Sequence, residues 1–205
     1  MPRDDQEFLA QRIKDLEASV AYFAPGNKQE SERWVANSFV QNLRIPYTQA
    51  EIVSPDDGPP DVEFRDARFE IKEILDPGRR RHDEYKQELE RARNLSESKD
   101  LLKMFTPKDI SLEEIYRLCE QVAFGLDKKY PKAVRESLDL LLYVNLTDVV
   151  YVTEQPYPDT SALACSGWRS VSFVMGQRSC CFYARNDASE FIQKAVGHVS
   201  HLHPR

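Results

Sequence analysis

The first part of the chain alternates apolar and polar positions with a helical period. Apolar side chains recur at intervals of three and four residues from Leu9 to Phe23, and Pro25-Gly26-Asn27 interrupts the pattern. A second apolar stripe then runs from Val35 to Leu43. Positions three and four apart share one side of an α-helix, so the pattern predicts an N-terminal helix within residues 1–24 and a second helix over about 28–43.

The middle of the chain changes to shorter, strand-like runs. Segments 47–53, 61–65 and 68–75 predict three strands separated by turn-forming residues, and the charged run 79–93 favours a helix. Segment 94–109 has little pattern and is interpreted as a loop. Ser111 and Glu114 form a capping-box signature for a helix that ends near residue 131, and the apolar run 138–146 is typical of a strand covered on both faces.

The last third predicts an extension of this core. We expect a strand over 149–153, a hairpin of strands 168–175 and 179–184, and a final helix capped by Asp187 that ends around Gly197. The element order indicates an α/β (α+β) fold in a single domain over residues 1–205. Its core spans about 28–146, after the helix within 1–24 and before the extension 147–205.

Composition places the chain among ordinary globular proteins. Its 205 residues are 41% hydrophobic and 30% charged, enough for one buried core. No run approaches 18 apolar residues and the first residues are polar, so we expect a cytoplasmic protein without a membrane span. The net charge of −6 argues against a uniformly basic nucleic-acid coat but leaves room for a local basic patch.

Segment 60–72 carries the candidate chemistry. A hairpin with a two-residue turn at Asp66-Ala67 would pair residue 63 with 70 and residue 61 with 72. Because side chains alternate along a strand, Asp61, Glu63, Glu70 and Lys72 would then share one face. Three carboxylates on one face repel one another unless a cation lies between them. Hard oxygen donors suit Mg²⁺ or Mn²⁺, and an adjacent lysine could orient an attacking water.

This motif, Pro60-Asp61 followed by Glu70-Ile71-Lys72, resembles that of the PD-(D/E)xK nuclease superfamily. The order of the flanking elements is similar to that superfamily's restriction-endonuclease-like αβββαβ core. The fuller wording GPPDVEF…FEIKE also resembles a bacterial family of uncharacterised proteins regarded as endonucleases. By this resemblance the added elements are the N-terminal helix and the C-terminal β-hairpin plus helix.

The resemblance implies a Mg²⁺-dependent (or Mn²⁺-dependent) endonuclease, acting on DNA in preference to RNA, with a homodimer left open. Asp61, Glu70 and the Ile71 carbonyl would bind the metal, and Lys72 would position the water. Glu32, in preference to Glu30, could add a ligand. The role of Glu63 is open, and Gln121 is a weak counterpart of a glutamine that some relatives place on the later helix.

Other interpretations remain beside this one. A solvated surface hairpin would have the same residues. A nuclease-fold protein that only binds nucleic acid or another protein, and a hydrolase of smaller phosphoesters, are further alternatives. The basic residues Arg79, Arg80, Arg81 and Lys86 could contact phosphates, or could form a solvated helix with the interleaved acids.

Three residue types invite a structural interpretation. His198, His201 and His203 lie in a C-terminal tail without a nearby acid, so a metal site there is disfavoured. Trp34 and Trp168 are expected in the core. The four cysteines show no CxxC pair, which favours buried, reduced thiols over a zinc site.

Overall fold

The computed structural model describes residues 3–203. Its helices and strands alternate through the chain, as expected for the α/β class. They are α1 Arg3–Tyr22, α2 Lys28–Asn42, β1 Ile52–Val53, β2 Val62–Phe64, β3 Ala67–Leu75, α3 Arg81–Arg93, β4 Lys108–Ser111, α4 Leu112–Gly125, α5 Lys132–Arg135, β5 Asp139–Asn145, β6 Val149–Thr153, β7 Ser170–Met175, β8 Arg178–Ala184, α6 Glu190–Lys194 and β9 Val199–His201.

Across residues 3–203 the strands form one seven-stranded sheet and one two-stranded sheet. The larger sheet has the order β1-β2-β3-β5-β7-β8-β9, with β3, β5 and β7 parallel to one another and its outer pairs antiparallel. Parallel neighbours need a crossover connection, which α3 to α5 supply between β3 and β5. The smaller sheet pairs β4 with β6.

Helices cover both faces of the larger sheet. On one face α2 and α6 pack against β1–β3 through Phe39, Phe64, Phe69 and Ile192. On the other face α4 packs against β5, β7 and β8. The apolar side chains of β5 therefore lie between two layers, which confirms the prediction of a strand covered on both faces.

The first helix lies outside these layers. α1 packs on α3 around Leu16, Leu89 and Ala92, a separate small apolar cluster. No helix within residues 3–203 is both long enough and apolar enough to cross a membrane.

The central hairpin has a different register from the predicted one. Phe64 pairs with Ala67, so the turn is Arg65-Asp66, and Glu63 pairs with Arg68 instead of Glu70. The turn moves by one residue because Ala67 is fully buried, and because Arg65, at a φ of 56°, donates to the Pro46 carbonyl at 2.7 Å. Each residue of β2 pairs with a residue two positions away from its predicted partner on β3. Side chains alternate with a period of two, so the same side chains still share a face.

Several predicted boundaries were wrong. The strand predicted over 47–53 is only Ile52–Val53, since a 3-10 turn closed by Thr48 and Glu51 occupies the residues before it. The charged helix begins at Arg81, not at residue 79. The segment predicted as a loop, 94–109, contains a 3-10 turn at Ser98–Leu101 and the start of β4.

The C-terminal predictions also need correction. Asp187 does not cap the final helix, because its carboxylate binds Arg185 and the helix starts after Ser189. The segment around the last histidines forms β9, which pairs with β8. Trp34 is not a core residue: 46% of its surface is exposed, whereas Trp168 is fully buried and donates to the Ala123 carbonyl at 3.0 Å. Cys165 is exposed, and the other three thiols are buried and free.

Candidate active site

The structure brings Asp61, Glu70 and Lys72 together. The Lys72 ammonium group contacts the Glu70 carboxylate, donates to the Ile71 carbonyl at 2.8 Å and lies 3.5 Å from Asp61 Oδ2. Ile71 donates its backbone N–H to Asp61 Oδ2 at 2.9 Å. Four groups that the sequence singled out therefore meet at one point.

Local structure explains this convergence. Glu70 and Lys72 are two residues apart on β3 and so project from the same face of the sheet. Asp61 immediately precedes β2, where its side chain can reach the amide of the neighbouring strand. The pairing of β2 with β3 stops at Phe69, so Ile71 has no strand partner on that side and its carbonyl oxygen accepts from Lys72.

The N-terminal part of α2 adds a second lysine and a third carboxylate. Lys28 Nζ lies 2.8 Å from Glu32 Oε1 and 3.0 Å from Asp61 Oδ1. Glu32 was among the predicted ligands, whereas Lys28 was predicted only as the start of a helix. The i,i+4 spacing of Lys28 and Glu32 was the available signal.

Tyr130, in the turn after α4, completes the cluster. Its hydroxyl donates to Glu70 Oε1, and the Lys72 ammonium lies 5.7 Å from the centre of its ring. Tyr130 packs edge-on against the buried Trp168, with ring centres 5.7 Å apart. Nothing in the sequence near Tyr130 indicates this role, since its partner is 60 residues away.

The electrostatics separate the carboxylates. Burial acts to raise the pKa of Asp61, but the amide of Ile71 and the charges of Lys72 and Lys28 outweigh it and hold that pKa below its ordinary value. Burial, with the charge of Asp61 as a further contribution, raises the pKa of Glu32 to about 7 against the hydrogen bond from Lys28. The surroundings thus favour the ionised form of Asp61 and disfavour the ionised form of Glu32.

Tyr130 remains a hydrogen-bond donor over the ordinary pH range. Burial and the hydrogen bond to Glu70 both raise the pKa of its phenol. A protonated hydroxyl therefore orients the Glu70 carboxylate, whose residue is only 2% exposed.

The oxygen atoms of this cluster match the chemistry of a hard divalent cation. Asp61, Glu70 and the Ile71 carbonyl supply oxygen donors, and each already binds a positively charged ammonium group. Among residues 3–203, no three acidic, histidine or cysteine side chains are arranged to hold a metal ion as they stand. A bound ion would have to displace the Lys72 ammonium group, which lies at all three of these donors. It would also displace Lys28 from Asp61, and the Lys28 side chain, 67% exposed, has room to move.

The secondary candidates lie apart from the cluster. Glu63 pairs with Arg68 at 3.7 Å, one step along the hairpin. Glu30 is exposed at the start of α2, and Gln121 is exposed on α4. The structure thus places these three residues away from the contacts that join Asp61, Glu70 and Lys72.

The basic segment before and within α3 divides into two kinds of residue. Arg79 bonds Glu84 and the Asn145 carbonyl, both at 2.7 Å, and Arg81 pairs with Glu73 at 2.9 Å. Arg80 and Lys86 are exposed. Arg80 and Lys86 therefore stay candidates for contacting phosphates, whereas Arg79 links β5 to α3.

The C-terminal histidines do not form a bare tail. His201 lies on β9, and its Nε2 atom is 3.0 Å from Glu154 Oε1. The expectation that no acid is nearby was therefore wrong, because the fold brings β9 beside the residue that follows β6. His198 and His203 are exposed.

Comparison with known proteins gives the family. A family model described as "Putative endonuclease, protein of unknown function (DUF1780)" matches residues 4–205. The chain belongs to this family. Its description agrees with the predicted endonuclease activity at the level of a name, and the DUF1780 description leaves the function uncharacterised.

The DUF1780 chain is also similar to a solved structure from Pseudomonas aeruginosa strain PAO1. That protein is of unknown function and is described as belonging to a monooxygenase superfamily. The match has a TM-score of 0.63 and 24% sequence identity, and it covers 98% of this chain and 96% of the other. At this identity the likeness concerns the fold alone. No curated protein matched the chain.

Proposed function

We propose that this protein is a metal-dependent phosphodiesterase of the PD-(D/E)xK type, an endonuclease that cleaves DNA in preference to RNA. One observation carries the proposal: Asp61, Glu70 and Lys72 converge around the Ile71 carbonyl. The family description supports the same reaction class.

The arrangement of elements supports the proposal further. Helix α2, strands β1 to β3, helix α4 and strand β5 occur in the order of a restriction-endonuclease-like αβββαβ core, with α3, β4 and α5 as insertions. Glu70 and Lys72 lie on β3, Asp61 immediately precedes β2, and β5 pairs in parallel with β3. Two of the three side chains therefore project from a central strand, which suits chemistry that depends on exact placement.

Asp61, Glu70 and the Ile71 carbonyl would hold Mg²⁺ or Mn²⁺. When bound, such an ion supplies a Lewis acid for a phosphoryl oxygen and lowers the pKa of water. Lys72 would orient the attacking water and offset the negative charge that develops on the phosphoryl group. Tyr130 fixes the Glu70 carboxylate, and Glu32 accepts from Lys28 at the edge of the cluster.

Cleavage of labelled DNA tests this function. Purified protein is offered supercoiled, duplex and single-stranded DNA with Mg²⁺ or Mn²⁺, and parallel reactions contain EDTA. We expect cleavage that EDTA stops and that Lys72→Ala lowers about 10²–10³-fold, the usual effect of removing one group that stabilises developing charge.

A matched lysine variant controls for general loss of charge. Lys194 is exposed on α6 and pairs with Glu190 at 2.6 Å, so Lys194→Ala should cleave like the native protein. Equal cleavage by native protein and Lys72→Ala would contradict the proposal, because the activity would then belong to something other than this site.

A second candidate is a nuclease-fold protein that binds without cleaving. The contacts of Lys28 and Lys72 favour it, since two ammonium groups already neutralise the carboxylates. Calorimetric titration with Mn²⁺ separates the two functions. Binding that Asp61→Asn removes supports the nuclease, and no binding by folded native protein supports the second candidate.

A further inference from the structure

A groove lined by aromatic side chains adjoins the candidate active site. Two cavities of about 470 and 660 Å³ share Tyr22, Phe23, Arg81 and Tyr143 in their walls. The first cavity also contains Lys28, Glu32 and Lys72, and the second contains Trp34. The second cavity, here called the aromatic groove, thus adjoins the cavity that reaches Lys28, Glu32 and Lys72 at the edge of the cluster.

Trp34 is the most unusual residue of the aromatic groove. It projects from α2 with 46% of its surface exposed, and its ring meets Tyr143 edge-on with centres 5.4 Å apart. A large aromatic side chain left accessible beside a cavity offers a flat face to a ligand.

Arginines accompany the aromatic rings. The Arg81 guanidinium lies 3.8 Å from the centre of the Phe23 ring and 2.9 Å from Glu73 Oε1. Arg33, also in the wall, donates to Ser54 Oγ at 3.4 Å. Guanidinium groups beside aromatic rings suit a ligand that combines a flat base with a phosphate.

We propose that the aromatic groove binds an unpaired nucleobase next to the phosphate that reacts, so that the substrate is single-stranded or locally unpaired nucleic acid. This inference rests on the proposed nuclease function and names its substrate class. A base inside a continuous duplex is stacked on both faces and cannot offer one to Trp34, whereas an unpaired base can. Both cavities fall in the ordinary size range for ligand pockets, about 300–1,000 Å³.

The charges of the aromatic groove favour a nucleotide over an apolar peptide. Arg33 and Arg81 face one acid in the walls of the groove, and in the adjoining cavity Lys28, Lys72, Lys129 and Arg81 outnumber Glu32 and Glu73, so both linings are more basic than acidic. Glu30 is the acidic residue in the wall of the groove itself, on the exposed start of α2.

Tryptophan fluorescence gives a direct readout of binding. The chain has two tryptophans, and Trp168 is fully buried, so a ligand in the aromatic groove should quench Trp34. The native protein is titrated in EDTA with a single-stranded dT 12-mer, with an abasic 12-mer and with a 12-base-pair duplex. We expect quenching by the dT 12-mer and at least tenfold weaker binding of the other two probes.

Variants assign the effect to Trp34. Anisotropy of a labelled dT 12-mer should show binding weakened about five- to hundredfold in Trp34→Ala, the range for loss of one base-stacking contact. Trp34→Phe should retain most of the affinity, because it keeps a ring. Tyr151→Ala is the matched control: Tyr151 is 50% exposed on β6, in the two-stranded sheet, and its loss should change nothing.

The outcomes separate this inference from the proposed function. Loss of dT binding in Trp34→Ala supports the inference even where no DNA is cleaved, a result that would overturn only the nuclease. Equal binding of dT, abasic and duplex probes, or unchanged dT binding in Trp34→Ala, overturns the inference while leaving any Lys72-dependent cleavage standing. An apolar peptide that binds where the dT 12-mer does not would also overturn it.

Discussion

Asp76 is the residue that joins the end of β3 to later parts of the chain. Its carboxylate accepts from the backbone N–H of Thr147 at 2.7 Å and from the Thr147 hydroxyl at 2.9 Å, and it pairs with Lys108 at 2.7 Å. Burial acts to raise the pKa of Asp76, but these hydrogen bonds outweigh it and lower the pKa to about 2.

The shift makes Asp76 a source of acid-sensitive stability. A carboxyl group with a lower pKa in the folded protein stabilises the fold above its unfolded pKa, about 3.9, and loses that effect as pH falls toward 2. We expect Asp76→Asn to lower the free energy of unfolding at pH 6, with a smaller difference from native protein near pH 2. Urea denaturation at both pH values measures it.

Asp56→Asn is the control for this experiment. Asp56 is exposed in the 54–60 loop, so its substitution should leave stability nearly unchanged at both pH values. If Asp76→Asn lowers the free energy of unfolding as much at pH 2 as at pH 6, the charge of Asp76 does not explain its stabilising role.

For single residues, the sequence predicts which side chains can carry out chemistry better than it predicts which residues those side chains contact. Asp61, Glu70 and Lys72 could be grouped in advance because strand alternation fixes which side chains share a face. Lys28 and Tyr130 could not, because their contacts depend on how α2 and the turn after α4 pack on the sheet. Trp34 was misplaced for a related reason: its type favours burial, but its position on α2 faces the aromatic groove.

Asp139 connects three elements at one end of the sheet. This fully buried carboxylate begins β5, accepts from the Arg68 amide of β3 at 2.9 Å and from the Ser170 hydroxyl of β7 at 2.7 Å, and pairs with Arg169. The three central strands are thereby fixed in register, and β3 carries Glu70 and Lys72.

Breaking this pair should be costly. Asp139→Ala would leave the Arg169 guanidinium, whose side chain is only 13% exposed, without its buried partner. Loss of one member of a buried ion pair typically costs about 3–5 kcal/mol. Chemical denaturation should show this loss of stability.

The control is the exposed pair of Arg185 and Asp187, 3.0 Å apart. Asp187→Ala should have little effect, as is usual for surface ion pairs. Similar small losses for Asp139→Ala and Asp187→Ala would show that the strands are held in register by their apolar contacts alone.

The sequence predicted helices and strands correctly where a local sequence signal marks them. The capping box at Ser111 and Glu114 is present with both of its hydrogen bonds, and the apolar run after residue 138 is a buried strand. Strand β9 has no such signal: its three residues are held by pairing with β8, a contact that only the folded chain provides. The hairpin register likewise depended on the burial of Ala67.

For the whole molecule, the α/β class follows from the alternation of helices and strands, whereas the single-domain assignment over 1–205 stays a prediction. The α1–α3 pair has its own apolar cluster around Leu16, so its attachment to the sheet is not dictated by a shared core. Element order alone could not reveal this, because the apolar stripe of α1 has the same period whichever partner it packs against.

The net charge of −6 shapes how the whole molecule would meet nucleic acid. A protein with a negative net charge repels a polyanion at long range, so binding must depend on a few local contacts. Exposed Arg80 and Lys86, with Arg33 and Lys28 near the aromatic groove, provide about two to four such contacts.

A shallow salt dependence should therefore accompany binding of the dT 12-mer. Each phosphate contact to a single strand contributes about −0.7 to the slope of log K against log salt concentration, so the slope should lie at about −1.5 to −3. Anisotropy titrations between about 50 and 200 mM KCl would measure this slope. Arg80→Ala with Lys86→Ala should make the slope shallower by about 1.4, whereas Lys194→Ala, on α6, should not. A slope steeper than about −6 would point to an extended basic surface and contradict binding through a few local contacts.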